Sequence, residues 1–292
     1  MSLLDPTRAH PVVALVTVSF GSEHALPAFL SSIENAASEP IASIVVDNRA
    51  RVGGVLTDLV ESAGAVYLPA PRNLGYGSAI NLAVRTLDPG VEWIVVSNPD
   101  VVLSPGSIDT LLATARADAG IGAVGPAILT PTGEVYPSAR AVPSLRTGVG
   151  HALFANLWMS NPWTSAYRND QQANVRRRNA GWLSGACIVV RRNLFVSLGG
   201  FDEAYFMYFE DVDLGYQIGR SGYRNVYEPA ARVVHTGAHS TSEHSTRMVR
   251  AHHASAKRFL AKKYSGALLW PVRAGLGVGL WIRSRLVRGR LG

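Results

Sequence analysis

Over the first 120 residues, short β-branched apolar runs alternate with longer amphipathic stretches, and this alternation constrains the fold more than any other feature. Val12–Phe20 (VVALVTVSF) is a nearly continuous apolar run, as expected of a strand buried on both faces. Ile41–Val46 and Ala65–Leu68 read as further strands, and Trp93–Ser97 (WIVVS) as a fourth. His24–Ala37, Val52–Ser62 and Tyr76–Leu87 read as the intervening helices, and Pro105 opens another that runs to about Ala117. This spacing predicts an α/β fold built on a doubly wound, mostly parallel sheet. In such sheets, polar residues just past the strand C-termini face the ligand crevice. Asp47, Asn48 and Asp100 stand at those positions.

The second half is less regular. Ile128–Tyr136 predicts a hairpin around Thr132-Gly133. Residues from about Pro137 to Arg178 are rich in Pro, Asn, Trp and Arg with little periodicity, which in a compact protein marks a functional or mobile loop. Trp182–Val190 reads as a strand, Tyr208–Ser221 as a helix, Tyr223–Val234 as short strands and Thr246–Tyr264 as a helix. Leu268–Leu291 is a basic amphipathic segment in which Trp270 and Trp281 alternate with arginines.

Charge is unevenly placed along the 292 residues. Of 28 Lys and Arg, 11 follow Glu243, the last acid, so residues 1–243 set 17 basic against 21 acidic residues. A mildly acidic body argues against nucleic-acid binding, which needs basic residues across a folded face. Tryptophan and arginine in a C-terminal helix suit the interface of an anionic membrane; a helix packed on the domain with a solvated basic face is the other reading. Cys187 is the single cysteine, so no internal disulfide framework forms. The N-terminal MSLLDPTRAHP has no signal-peptide pattern, and no stretch reaches the ~18 apolar residues of a spanning helix.

Three groups of residues carry chemical promise. Asp100, between a buried strand and a helix start, is placed to hold a hard cation on a diphosphate, although Asn98-Pro99-Asp100 also reads as a turn. Glu210, Asp211 and Asp213 crowd into four residues beside Phe206, Tyr208, Phe209 and Leu214. Helix capping explains one or two of these acids but not their aromatic setting, where a carboxyl gains a raised pKa and becomes a usable general base. His235 ends a strand; isolated histidines are usually structural, but with Asp100 it would complete a mixed oxygen and nitrogen site for Mn²⁺. Asn73–Asn81 is a Gly-containing loop opening a helix, without the Walker A or full dinucleotide spacing.

Taken in order, these pieces resemble the family 2 glycosyltransferases of the GT-A, Rossmann-like fold, in their rhamnosyltransferase branch. The matching elements are Val16–Phe20, Asp47-Asn48, Arg72–Gly75, Asn98–Asp100, Gly185–Cys187, Gly200–Glu203 and, most specifically, Phe206–Leu214. The resemblance implies a metal-dependent, inverting hexosyltransferase that uses Mn²⁺ or Mg²⁺. It implies a dTDP-rhamnose donor and a polyprenyl-diphospho-N-acetylglucosamine acceptor in cell-wall linker synthesis. Ser19, Asp47, Asn48, Arg72, Asn73, Gly75 and Asn98 would line the nucleotide. Asp100 and His235 would hold the metal, and Asp211 would deprotonate the acceptor with Glu210 and Asp213 orienting it. Trp182, Gly185, Arg176, Arg177 and Arg178 would meet the acceptor. The family's Asp-x-Asp is Asn98-Pro99-Asp100 here, one carboxylate short. The expected organisation is a GT-A domain over 1–240, its nucleotide half about 11–125 and its acceptor half about 126–240. A basic helical extension over 241–292 would place the protein peripherally on the cytoplasmic face of the membrane; a homo-oligomer is compatible with all of this. A galactofuranosyl or mannosyl donor, a nucleotidyltransferase and a non-catalytic sugar-nucleotide-binding module are the competing readings.

Overall fold

A computed structural model describes residues 11–49, 54–144, 176–237 and 245–266, with 271 and 275 singly. Strand β1 (Val13–Ser19) is buried at every position. Its alternate side chains feed two separate cores, Val13 and Leu15 on one face and Ala14, Val16 and Val18 on the other. That is why the run shows no polar alternation. Helix α1 (Leu26–Ile33), β2 (Ile41–Asp47), α2 (Val55–Ser62), β3 (Val66–Pro69), α3 (Tyr76–Val84) and β4 (Trp93–Ser97) follow. The four strands lie parallel in the order β3-β2-β1-β4, with β1 paired from Val13 opposite Ile41 and Trp93.

The chain then adds β5 (Val101–Leu103), α4 (Ser107–Arg116) and β6 (Ile121–Leu129). Neither strand is predicted by the sequence pattern. The β6 sequence IGAVGPAIL contains two glycines and a proline, which disguise a strand that is almost wholly buried. At Gly122 an added Cβ would sit 2.6 Å from Leu194 Cδ2, so close packing and not a turn explains that glycine. The hairpin at Thr132-Gly133 forms as expected, pairing Ile128 with Tyr136 in β7 (Val135–Tyr136).

The expected strand Trp182–Val190 is in fact two strands. After β8 (Ala139–Arg140) and β9 (Arg178–Ala180), β10 (Trp182–Leu183) pairs with β8 in a separate two-stranded sheet. β11 (Cys187–Arg191) enters the main sheet antiparallel between β4 and β6. Helices α5 (Arg192–Ser197) and α6 (Glu210–Arg220) lead to β12 (Arg224–His235), a single twelve-residue strand where short ones are expected. A register shift between Glu228 and Arg232 accommodates the proline that made it look broken. The main sheet reads β3-β2-β1-β4-β11-β6-β12-β5. β12 lies parallel to β6, so Ser19, Asp47, Ser97 and His235 all reach the same edge.

Helix α7 (Ser245–Lys263) docks on the domain. Phe259 is fully buried between Phe209 and Tyr216. Ser255 donates to the Met207 carbonyl and Lys263 to that of Pro143. The rest of the amphipathic segment 268–291, apart from 271 and 275, and residues 145–175 of the aperiodic stretch 137–178 lie outside the described residues.

Candidate active site

The nucleotide side is built by two strand ends and one turn. Asp47, 1% exposed, accepts from the Arg49 N–H and from the Tyr67 hydroxyl, each at 3.0 Å. Asn48 clasps the Asn73–Gly75 turn. Its side chain accepts from Leu74 N at 2.9 Å and donates to Asn73 Oδ1 and the Gly75 carbonyl, both at 3.2 Å. Gly75 is held at φ +82°, and a Cβ there would lie 2.1 Å from the Phe206 carbonyl oxygen. Only glycine lets the 206–209 loop close over the start of α3. Ser19 is fully buried, so it shapes the crevice through its backbone carbonyl, which accepts from Asn48 N at 2.9 Å. Arg72 is exposed at the rim.

Asp100 and His235 meet across the sheet, Asp100 Oδ1 lying 3.0 Å from His235 Nε2. The Asn98 amide nitrogen approaches the same imidazole at 3.4 Å. Register explains the meeting, because β12 pairs His235 opposite Val101, one residue from Asp100. The side chains are 14% and 28% exposed, open toward the crevice. A carboxylate oxygen and an imidazole nitrogen fit Mn²⁺ or Mg²⁺, which keep several water or phosphate oxygens in their shell. Among the described residues no third His, Cys, Asp or Glu joins them. The missing carboxylate of Asn98-Pro99-Asp100 is therefore not replaced by another acid there.

The acidic string opens α6 from a strained turn. Tyr208 and Phe209 both hold left-handed backbone, at φ 67° and 70°, so the helix starts at Glu210 and not at Tyr208. Non-glycine residues in that region cost about 1–3 kcal/mol each, and such strain persists only where surrounding contacts impose it. Here α7 imposes it, with His252 packed on both rings and Phe259 beneath Phe209. The Asp211 carboxylate is fixed by two backbone donors, Gly185 N on Oδ2 at 3.0 Å and Val212 N on Oδ1 at 2.8 Å. Burial pushes its pKa up, while those donors and the charge of Arg140 pull it back. Burial, then the Asp211 charge, pushes Glu210 up to about 8, and among the described residues its Oε2 has no hydrogen-bond partner. Asp213 turns to α7, accepting from Lys262 Nζ at 2.6 Å. It thus ties α6 to α7.

Gly185 ties the site together, its carbonyl accepting from the Tyr76 hydroxyl at 2.8 Å. Burial holds that phenol well above its usual range, with the charges of Glu210, Asp211 and Asp100 adding to the effect. Tyr76, Arg140 and Lys262 are site residues that the sequence pattern does not reveal. Trp182 packs its Cβ against Gly215 of α6 and donates to the Ala141 carbonyl. Of the three consecutive arginines, Arg177 pairs with buried Glu228, and Arg178 donates to the Ala139 carbonyl and covers the Tyr227 ring. Glu228 is seven residues back along β12 from His235, roughly 20 Å at strand rise. Arg177 and Arg178 are thus structural ties, and Arg176 is exposed.

Comparison with known proteins agrees with this geometry. Residues 10–254 match the family profile "Glycosyltransferase like family 2". The chain is 42% identical over 294 residues to the N-acetylglucosaminyl-diphospho-decaprenol L-rhamnosyltransferase of Mycobacterium tuberculosis, covering 96% of this chain and 95% of that protein. It is 38% identical over 82 residues to the rhamnosyltransferase WbbL of Escherichia coli, covering 28% and 31%. Among solved structures, the mannosyltransferase PcManGT of Pyrobaculum calidifontis, in complex with GDP-Man and Mn²⁺, superposes with a TM-score of 0.57 at 18% identity, covering 93% of this chain and 70% of that one. GalNAc-T7 with UDP, GalNAc and Mn²⁺ gives 0.54 at 15%, covering 82% and 47%. Matched along most of its length and folded on the GT-A plan, the chain belongs to the family 2 glycosyltransferases.

Proposed function

We propose that the protein transfers L-rhamnose from dTDP-rhamnose to polyprenyl-diphospho-N-acetylglucosamine, with inversion at the anomeric carbon. The observation that carries the catalytic half is the Asp211 carboxylate, held by two backbone donors beside a crevice that also contains Asp100 and His235. The near end-to-end 42% identity with an enzyme named for this transfer supports the choice of donor and acceptor.

In this reading Asp47, Asn48 and the Asn73–Gly75 turn seat the nucleotide. Asp211 takes the proton of the acceptor hydroxyl as its oxygen bonds to the anomeric carbon, and the bond to the dTDP oxygen breaks with its electron pair leaving on the diphosphate. One displacement inverts the centre. Asp100 and His235 would hold Mn²⁺ or Mg²⁺, which would supply positive charge at the donor diphosphate when bound. Glu210, kept neutral near pH 7 by burial, avoids a second negative charge beside the base. The five arginines after α7, Arg273, Arg283, Arg285, Arg288 and Arg290, support peripheral attachment to the cytoplasmic face of the membrane.

The test is dTDP release across a panel of nucleotide sugars, with and without divalent cation and with and without the polyprenyl acceptor. Cation-dependent release from dTDP-rhamnose, stimulated by acceptor, is expected. Preference for a galactofuranosyl or mannosyl nucleotide would sink the donor assignment, and unchanged release in chelator would sink the metal assignment.

A further inference from the structure

We propose that Arg140 binds the diphosphate of the acceptor, a role that rests on the acceptor reading above. Its guanidinium Cζ lies over two aromatic rings, 5.6 Å from the Tyr136 centroid and 5.8 Å from that of Trp182. Nε donates to the Pro137 carbonyl at 2.8 Å, which fixes the plane of the group. Among the described residues neither Nη has a hydrogen-bond partner. A guanidinium held against two aromatic rings, tied at Nε and, among the described residues, unpartnered at both Nη is a preorganised fork for a phosphate.

The position selects the anion. Arg140 pairs directly with Trp182 in the small β8–β10 sheet, and Trp182 leads through Leu183 and Ser184 to Gly185, whose N–H holds Asp211. The fork therefore stands on the base side of the crevice, where the acceptor hydroxyl must sit. The donor diphosphate belongs to the Asp100–His235 side, at the ends of β4 and β12. The acceptor carries its own diphosphate at the far end of a single sugar from the attacking hydroxyl. Arg177 and Arg178 are committed to Glu228, Ala139 and Tyr227, whereas Arg140 is tied only at Nε among the described residues.

The experiment compares two acceptors, farnesyl-diphospho-N-acetylglucosamine and an uncharged octyl N-acetylglucosaminide, in wild type, Arg140→Met and Arg140→Lys. With the diphosphate acceptor, Arg140→Met should lose roughly 10²- to 10³-fold in kcat/KM, mostly through KM. Arg140→Lys, which keeps the charge without the fork, should recover part of that loss. With the octyl glycoside the Arg140→Met loss should be at least about tenfold smaller than with the diphosphate acceptor, and the KM for the donor should not move. Equal losses on both acceptors, with or without a shifted pH profile, would assign Arg140 to Asp211 or to packing and overturn the proposal. A raised donor KM would place the fork on the wrong diphosphate and overturn it too. A wild type that glycosylates neither acceptor would instead refute the functional reading on which the proposal rests.

Discussion

Replacing Lys262 by methionine removes the cation that faces Asp213, and the structure sets the size of the effect. Asp213 is 3% exposed, and burial raises its pKa even with Lys262 donating at 2.6 Å. Breaking a buried ion pair costs about 3–5 kcal/mol, but the Lys262 side chain is 37% exposed and water screens it. A loss of about 1–3 kcal/mol near pH 7.5 follows after that discount. Asp202 keeps Arg258 as a partner, so the loss centres on Asp213. A group whose folded pKa is raised binds its proton more tightly when folded, so stability is gained as pH falls through that pKa. Lys262→Met raises the Asp213 pKa further, and the variant should therefore recover toward wild type on acidification. Guanidinium unfolding of wild type, Lys262→Met, Asp213→Asn and the double variant, at two pH values, measures the coupling. An interaction energy below about 0.5 kcal/mol, or a deficit that widens toward low pH, would refute the clamp between α7 and α6.

Two further outcomes follow from the same site. Glu210, with its pKa raised from 4.5 to about 8, lowers stability as pH rises through that window, so Glu210→Gln should gain on wild type from pH 5 to 8 in thermal melts. Parallel melting curves would show Glu210 ionising normally. Gly75→Ala forces a Cβ to 2.1 Å from the Phe206 carbonyl at φ +82° and should cost about 2–5 kcal/mol, seen as a fall in Tm of at least about 5 °C. An unchanged Tm would mean the 206–209 loop is not fixed against α3.

The parallel half of the sheet was legible because strands buried on both faces leave unbroken apolar runs, as in Val13–Ser19 and Trp93–Ser97. β6 was not, since Gly122, Gly125 and Pro126 serve tertiary packing and mimic a loop. Nor was the division of Trp182–Val190 between two sheets, which depends on a partner, Arg140, more than forty residues earlier. Asp211 could be singled out because acids among aromatics are rare locally. The role of Asp213 could not, because its partner Lys262 lies 49 residues on, in a tail whose composition points to a membrane surface. Asp100 and His235 were paired by chemistry, and the β12–β5 register brings them to 3.0 Å. Tyr76 and Arg140 carry no local signature at all; their roles arise only from what the fold sets beside them.

The central claim is that Asp211 is the base, and the direct measurement is single-turnover rhamnosyl transfer by Asp211→Asn. The amide preserves volume and can still accept from one of the two backbone donors, Gly185 N or Val212 N. A general base contributes roughly 10²- to 10⁴-fold, so the transfer rate should fall by that factor while dTDP-rhamnose binds as to wild type. A variant that turns over at the wild-type rate would contradict the account.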